Sequence, residues 1–371
     1  MVDTWMFHYE SIEARELIAQ DPIGFLKTNF SNSYENGYGK FLSSHQSWWN
    51  NLHNNAFITL LSLFNFLSFG NYYVNLIFYS FITLFGPVGL YRLMRDVFPQ
   101  NKIPILLATF LFPSFIYWTS GIHKDGLIFL SFILIIYPLY FGLKTSFNAK
   151  KLLSLLGGLI LLLVLRNYLL IIILPAALAW IAAYKIKKRP LGVFVSCYMA
   201  FITLFFVTRY FIPQLDFPAA VAEKQKSFLQ LQGGSAVAVS ELRPNIRSFV
   251  ANTPEAFSIS FLRPYPSDVR HLLSLAAAIE IMLLICLFLV FLVWHKSSSN
   301  RPFLLFGLFF TLSGMLTIGY TVNFIGAVVR YRSIVLPFVV VPMVAMINWS
   351  SLTELASSIK TKNNVKNISG L

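Results

Sequence analysis

Between residues 72 and 348 the sequence is built from apolar runs that alternate with short basic connections. The runs lie at approximately 72–91, 103–119, 126–143, 152–165, 167–183, 190–212, 272–294, 302–320 and 333–348. A helix needs about 20 apolar residues, rising 1.5 Å each, to cross the hydrocarbon core of a bilayer, and several runs meet that length. The basic connections hold Arg92, Arg95 and Lys102, then Lys144, Lys150 and Lys151, then Lys185, Lys187, Lys188 and Arg189, then Lys296 and Arg301. Lys360, Lys362 and Lys366 follow in the tail. Every second short connection is basic, which the positive-inside rule assigns to the cytoplasmic side. An all-α, polytopic membrane protein of about nine transmembrane helices is expected, in the plasma (inner) membrane with a cytoplasmic C-terminus.

Composition agrees. Charged residues make up 12% of the chain and mean hydropathy is +0.65, whereas soluble domains carry about 25% charged residues. The net charge of +14 is spread over connections rather than gathered in one soluble module, so nucleic-acid binding is excluded as a primary role. Cys197 and Cys286 lie inside apolar runs and offer neither a disulfide framework nor metal-ligand spacing. Residues 1–20 hold Asp3, Glu10, Glu13 and Glu16 without an apolar h-region, so no cleavable signal peptide is read there.

Residues 152–183 look at first like one long span. Both flanks are basic, however, and a single crossing would place them on opposite sides. Arg166-Asn167 also falls near the middle, where a lone guanidinium facing lipid costs at least about 2.5 kcal/mol. Two helices turning at Arg166, each about 21–26 Å long, satisfy both facts.

Five segments are therefore expected: 1–71 as an outer region with interfacial helices, 72–212 as transmembrane helices one to six, 213–271 as a second outer loop, 272–348 as helices seven to nine, and 349–371 as a cytoplasmic tail. The run 56–70 is too short to span comfortably and reads as interfacial or re-entrant. If 72–91 runs from outside to inside, then either 56–70 crosses or a further helix precedes Met1.

Chemistry concentrates on the outer side. The connection Trp118-Thr119-Ser120-Gly121-Ile122-His123-Lys124-Asp125-Gly126 packs an imidazole, an ammonium and a carboxylate between two spans. As a plain solvated turn it would need only Lys124 and Asp125 near water and Trp118 as an interface anchor. Arg330-Tyr331-Arg332 precedes the last run on the side where orientation bias gives arginines no purpose; guanidinium groups there suit a phosphate, or equally a lipid headgroup. Arginines at i and i+2 point to different faces of a regular helix, so a broken segment would be needed to aim both at one phosphate. Arg263, in Leu262-Arg263-Pro264-Tyr265-Pro266, is a similar candidate on an extended approach. Asp3, His8 and Glu10 begin an amphipathic helix. Glu280 lies within 272–294 and must face other helices. No nucleophile elbow, phosphate-binding glycine loop or zinc-helix motif occurs.

The order of these features resembles the GT-C-type polytopic glycosyltransferases of bacterial envelope synthesis, in particular the protein mannosyltransferase and lipid A aminoarabinose transferase group. The resemblance rests on an early outer Asp, Gly70-Asn71-Tyr72, the stretch Phe112–Asp125, the turn at Arg166, Phe261–Pro266 and Arg330-Tyr331-Arg332. It implies sugar transfer from a polyprenyl-phosphate donor to an envelope acceptor at the outer face. Asp3 would take the acceptor proton, directly after a first helix expected upstream of Met1. Lys124, Arg330 and Arg332 would hold the leaving phosphate, and His123 and Asp125 would orient Lys124 or meet the acceptor. The candidate catalytic residues are thus Asp3, His123, Lys124 and Asp125, and the candidate phosphate-binding residues Arg166, Arg263, Arg330 and Arg332. The expected partners are the lipid-linked donor and membrane lipid. No cofactor is expected, and no residue pattern supports a divalent metal. A polysaccharide polymerase or ligase would use the same outer arginines, whereas a flippase or transporter would scatter polar groups through the spans and repeat internally.

Overall fold

The computed structural model describes residues 3–35, 37–42, 47–298 and 300–351. Among these, regular structure is helical, with two isolated bridges, Ala236 with Phe324 and His295 with Ile347.

Three helices come first: α1 (Asp3–Gln20), α2 (Pro22–Phe30) and α3 (Trp48–Ser68). The third starts earlier than the apolar run suggests. Ser47 caps it by accepting from the Asn50 N–H at 3.2 Å, and Asn50, Asn51, His53, Asn54 and Asn55 occupy its first turns. With these polar first turns α3 is not among the helices apolar enough to cross a membrane. Its far end is stopped by Phe69 and Gly70 at φ 53° and 80°, the left-handed region in which glycine is unstrained. A buried polar strip joins these elements to the next: Asn65 Nδ2 donates to Ser11 Oγ at 2.8 Å, and Asn75 Nδ2 to Asn65 Oδ1.

The bundle follows. Six helices are long and apolar enough to cross a membrane: α4 (Tyr72–Val97), α7 (Lys124–Lys144), α9 (Tyr168–Ile186), α10 (Pro190–Phe211), α13 (Leu272–Val293) and α14 (Arg301–Thr321). Two bent pairs raise the number to eight, α5 (Lys102–Phe110) with α6 (Pro113–Ser120) at 52°, and α15 (Ile325–Ser333) with α16 (Pro337–Met346) at 61°. Each bend precedes a proline, whose ring and missing N–H cannot continue the previous helix. The remaining run, α8 (Ala149–Arg166), carries Lys150 and Lys151 at one end and Arg166 at the other and is not among the spans that length and composition alone single out. Six to eight crossings, in place of the nine expected, are what length and apolarity carry.

The turn at Arg166 is borne out. Ser154 Oγ donates to Leu134 O at 3.2 Å, so α8 runs back along α7. Lys144 and Lys187 then border one cavity while Lys124 and Arg166 border another, so α9 reverses again. The basic connections gather at one end. There Lys144 pairs with Asp96 at 2.7 Å, Tyr140 donates to the same carboxylate at 2.7 Å, and Lys296 N–H donates to Met346 O at 2.8 Å. The tail lysines Lys360, Lys362 and Lys366 lie outside the described residues.

At the centre stands α7, enclosed nearly all round, with Phe132 packed edge-on against Phe310 and Phe338. The outermost helices are the opposite. Only 6% of the apolar window of α10 and 22% of that of α13 is buried. Val195, Met199, Ile202, Leu283 and Leu289 stand exposed. Apolar faces this extensive need lipid rather than water. The chain is a multi-pass helical membrane protein. Residues 213–271, expected as a loop, fold into α11 (Phe217–Leu229) and α12 (Ile246–Phe257), which lie against α14.

Candidate functional site

The site grows from the link between α6 and α7, which is only Gly121, Ile122 and His123. Its tightness has local causes. His123 N–H donates to Gly121 O at 2.7 Å, and the buried Tyr79 hydroxyl donates to His123 O. A Cβ on Gly126 would lie 2.7 Å from Thr83 Cγ2 and 2.8 Å from Thr119 O. The first turn of α7 is thereby pressed into the bundle, carrying Lys124 and Asp125 with it. An acidic residue in that turn also complements the helix dipole.

Asp125 is completely buried and lies between two guanidinium groups. Arg330 Nε donates to its Oδ2 at 2.6 Å, and Arg166 Nη2 stands 3.6 Å from its Oδ1. Each arginine is held again from the side: Arg330 over the Trp118 ring at 5.3 Å and Arg166 over the Tyr331 ring at 4.5 Å. Arg166 Nη1 further donates to the Tyr168 hydroxyl at 3.2 Å. Both of its oxygens face guanidinium groups, so this carboxylate fixes two cations in place.

Lys124 points the other way. Its ammonium donates to Asn54 Oδ1 and lies 5.4 Å from the centre of the Phe7 ring. Glu10 of α1 acts on it electrostatically, together with Arg166, Arg330 and Asp125. His53 Nδ1 is 2.7 Å from Val164 O. A carbonyl can only accept, so this nitrogen carries the proton. Burial lowers the His53 pKa to about 4, with Lys124 and Arg166 contributing, so the ring is neutral at pH 7.

These groups open onto a cavity of about 300 Å³. Its lining holds Lys124, Arg166, Lys224, His53 and Asn54 together with Leu169, Ile172, Phe205, Phe217, Ile318 and Val335. Lys224 comes from α11, and burial with Arg166 nearby lowers its pKa to about 8. Three cations, Lys124, Arg166 and Lys224, line this chamber, so it favours an anion attached to an apolar body.

The structure thus brings Lys124, Asp125, Arg166 and Arg330 together, with His123 at their edge, its ring 5.7 Å from that of Trp118. Arg263 and Arg332 belong to a different cluster. Both Arg330 and Arg332 lie on the regular helix α15, and the i, i+2 spacing turns them apart. Arg332 is fully buried and donates through Nη1 to Arg263 O. Arg263, in extended backbone at φ −83° and ψ 150°, pairs with Asp268 at 3.2 Å. Asp3 opens α1; its side chain lies outside the described residues.

Sequence reasoning gave no role to His53, Asn54, Lys224, Tyr168 or Tyr331, and read Glu10 only as an exposed helix start. For α3 a signal existed: Asn50, His53 and Asn54 recur at the i, i+3, i+4 spacing of one helix face. Lys224 carried none. Among the described residues no group of three or more His, Cys, Asp or Glu is gathered as a metal site. Comparison with protein-family models, curated proteins and solved structures returns no match.

Proposed function

We propose that the protein is a membrane glycosyltransferase that moves a sugar from a polyprenyl-phosphate donor to an envelope acceptor at the outer face of the plasma membrane. The observation that carries this reading is the 300 Å³ cavity, whose lining combines the cations Lys124, Arg166 and Lys224 with many apolar side chains. A phosphate joined to an isoprenoid chain has the same two kinds of surface. The basic connections at the opposite end support an outward orientation for the cavity and a cytoplasmic C-terminus.

In the reaction the acceptor hydroxyl oxygen attacks the anomeric carbon and the bond from that carbon to the phosphate oxygen breaks. The electron pair leaves with the phosphate, whose growing charge Lys124 and Arg166 face across the cavity. The hydroxyl proton passes to a carboxylate. Two are proposed from the N-terminal segment: Asp3, by the resemblance, and Glu10, which acts on Lys124. Asp125 is a positioning residue that holds Arg166 and Arg330 in register.

The polymerase or ligase reading gains support from the origin of the cations, since Arg166, Lys224 and Arg330 come from later segments than the first outer region. A transport role has less support, because the aromatic packing of Phe132, Phe310 and Phe338 fills the bundle centre. The test is product formation in nanodiscs given a synthetic polyprenyl-phosphate sugar and cell-envelope acceptors. Lys124→Ala should abolish it, and Asp3→Asn or Glu10→Gln should reduce it by a factor of about 10² or more. Loss in Lys124→Ala and Arg166→Gln with full activity in both carboxylate variants would favour the polymerase or ligase. Full activity in Lys124→Ala would defeat the site.

A further inference from the structure

A second cavity, of about 340 Å³, lies beyond Trp118. Its walls come from α6, α13 and α15 and from residues 234–237, and they include Tyr117, Trp118, Ala277 and Val329. It descends along α13 from His271 to Glu280, nine residues or about 14 Å. Glu280 lines its deep end.

That carboxylate is incompletely used. Glu280 is 5% exposed; its Oε2 accepts from the Ser114 N–H at 2.7 Å, while its Oε1 is buried without a hydrogen-bond partner. Ser114 Oγ, on the same wall, also has none. A buried carboxyl oxygen without a partner is costly, so a donor is called for.

The surrounding charges select the donor. Arg332 lies within electrostatic reach of Glu280. Arg263 is paired with Asp268, and Arg270 lines the upper wall. On the wall Arg270 stands against Glu280 and Asp268, while Arg263 and Arg332, which do not line it, add positive charge beside those carboxylates, so an ammonium ligand finds no unmatched negative charge. Glu280 and Asp268, both on the wall, disfavour a phosphate. A purely apolar ligand would leave Oε1 unmatched. A neutral hydroxyl meets the demand, and the Tyr117 and Trp118 rings with the alanine-lined side offer apolar surface for the rest of the molecule.

We propose that this cavity is a second binding site, for a neutral hydroxyl-bearing head such as a sugar carried on an apolar tail, with one hydroxyl donating to Glu280 Oε1. Identifying that ligand as the acceptor rests on the transferase reading; the binding itself does not.

The probe is octyl β-D-glucoside bearing a diazirine on its alkyl chain, photolysed with the intact protein in phosphatidylcholine nanodiscs and mapped by peptide mass spectrometry. Labels are expected in 113–118 and 271–280, displaced by unlabelled octyl glucoside and not by octyl phosphate or octyltrimethylammonium. Glu280→Leu should weaken labelling about tenfold or more. Ala277→Trp, at a half-buried position, should abolish it by filling the cavity with Glu280 left in place, and it decides the matter should the Glu280 variant fail to fold. Equal labelling of wild type and both variants, displacement by the phosphate or ammonium amphiphile, or no labelling in these segments would overturn the proposal. Sugar transfer without glycoside labelling defeats this site alone; labelling without transfer defeats the transferase reading alone.

Discussion

Asp125→Asn is the sharpest perturbation of the site, because it removes a charge and leaves the side-chain volume nearly unchanged. Arg330 Nε then loses a charge-assisted bond of 2.6 Å, and Arg166 loses an ion pair at 3.6 Å. Two unit charges 4 Å apart attract by about 4 kcal/mol at an effective dielectric constant near 20. Leaving one member of a buried pair unmatched costs about 3–5 kcal/mol. The arginine side chains are 16% and 14% exposed and Asp125 is fully enclosed, so solvent screens little of this. Pairing Asp125→Asn with Arg330→Met in a double-mutant cycle should return a coupling of about 2–4 kcal/mol. The matching cycle with Arg166→Met should return roughly half as much, since that contact lacks hydrogen-bond geometry. The assay is reversible unfolding by SDS in mixed micelles, followed by tryptophan fluorescence, and it needs no substrate. Additivity within about 0.5 kcal/mol for Asp125 and Arg330 would refute the reasoning.

The Lys224 ammonium is charged below its pKa of about 8, so its contribution to anion binding is present below that pH and is lost above it. Farnesyl phosphate should bind more weakly at pH about 9.5 than at about 7, whereas Lys224→Met should bind weakly at both; an unchanged pH profile in the variant would remove Lys224 from the site. A Cβ on Gly319 would lie 2.0 Å from Ala256 O, so Gly319→Ala should destabilise the seating of α12 on α14 by about 1–3 kcal/mol, and a neutral result in the same SDS assay would contradict this packing. Reporter domains active only outside the cytoplasm, inserted at Trp49 and at Gly233, should both be active. A silent Trp49 insertion would place α1 to α3 inside and remove Glu10 and Asp3 from the chemistry.

Much of the helix layout is legible in the chain because lipid solvation imposes long local runs. The reversal at Arg166 is legible too, since a guanidinium in mid-span and two basic flanks leave few arrangements. Even the parting of Arg330 and Arg332 follows from helical periodicity. What escapes is pairing across distance. Asp125 and Arg330 are 205 residues apart, and no local pattern distinguishes a carboxylate locked by arginines from one exposed in a turn. The same holds for Lys224, which reaches the cavity only because α11 folds back onto the bundle, and for Glu280, whose donor is the Ser114 main chain at the start of α6. The polar face of α3 is partly concealed in the sequence, because Ser47 starts the helix among asparagines, ahead of the apolar run that begins at residue 56.

One nine-residue helix, α15, furnishes a wall to each chamber: Tyr331 to the cationic one, Ile325, Gly326 and Val329 to the other. The two cavities accordingly share one structural element. Any displacement of that helix by an occupant on one flank changes the shape offered on the other, and thermodynamic reciprocity makes the effect equal in both directions. Affinities measured with one chamber empty therefore need not describe the protein with both filled.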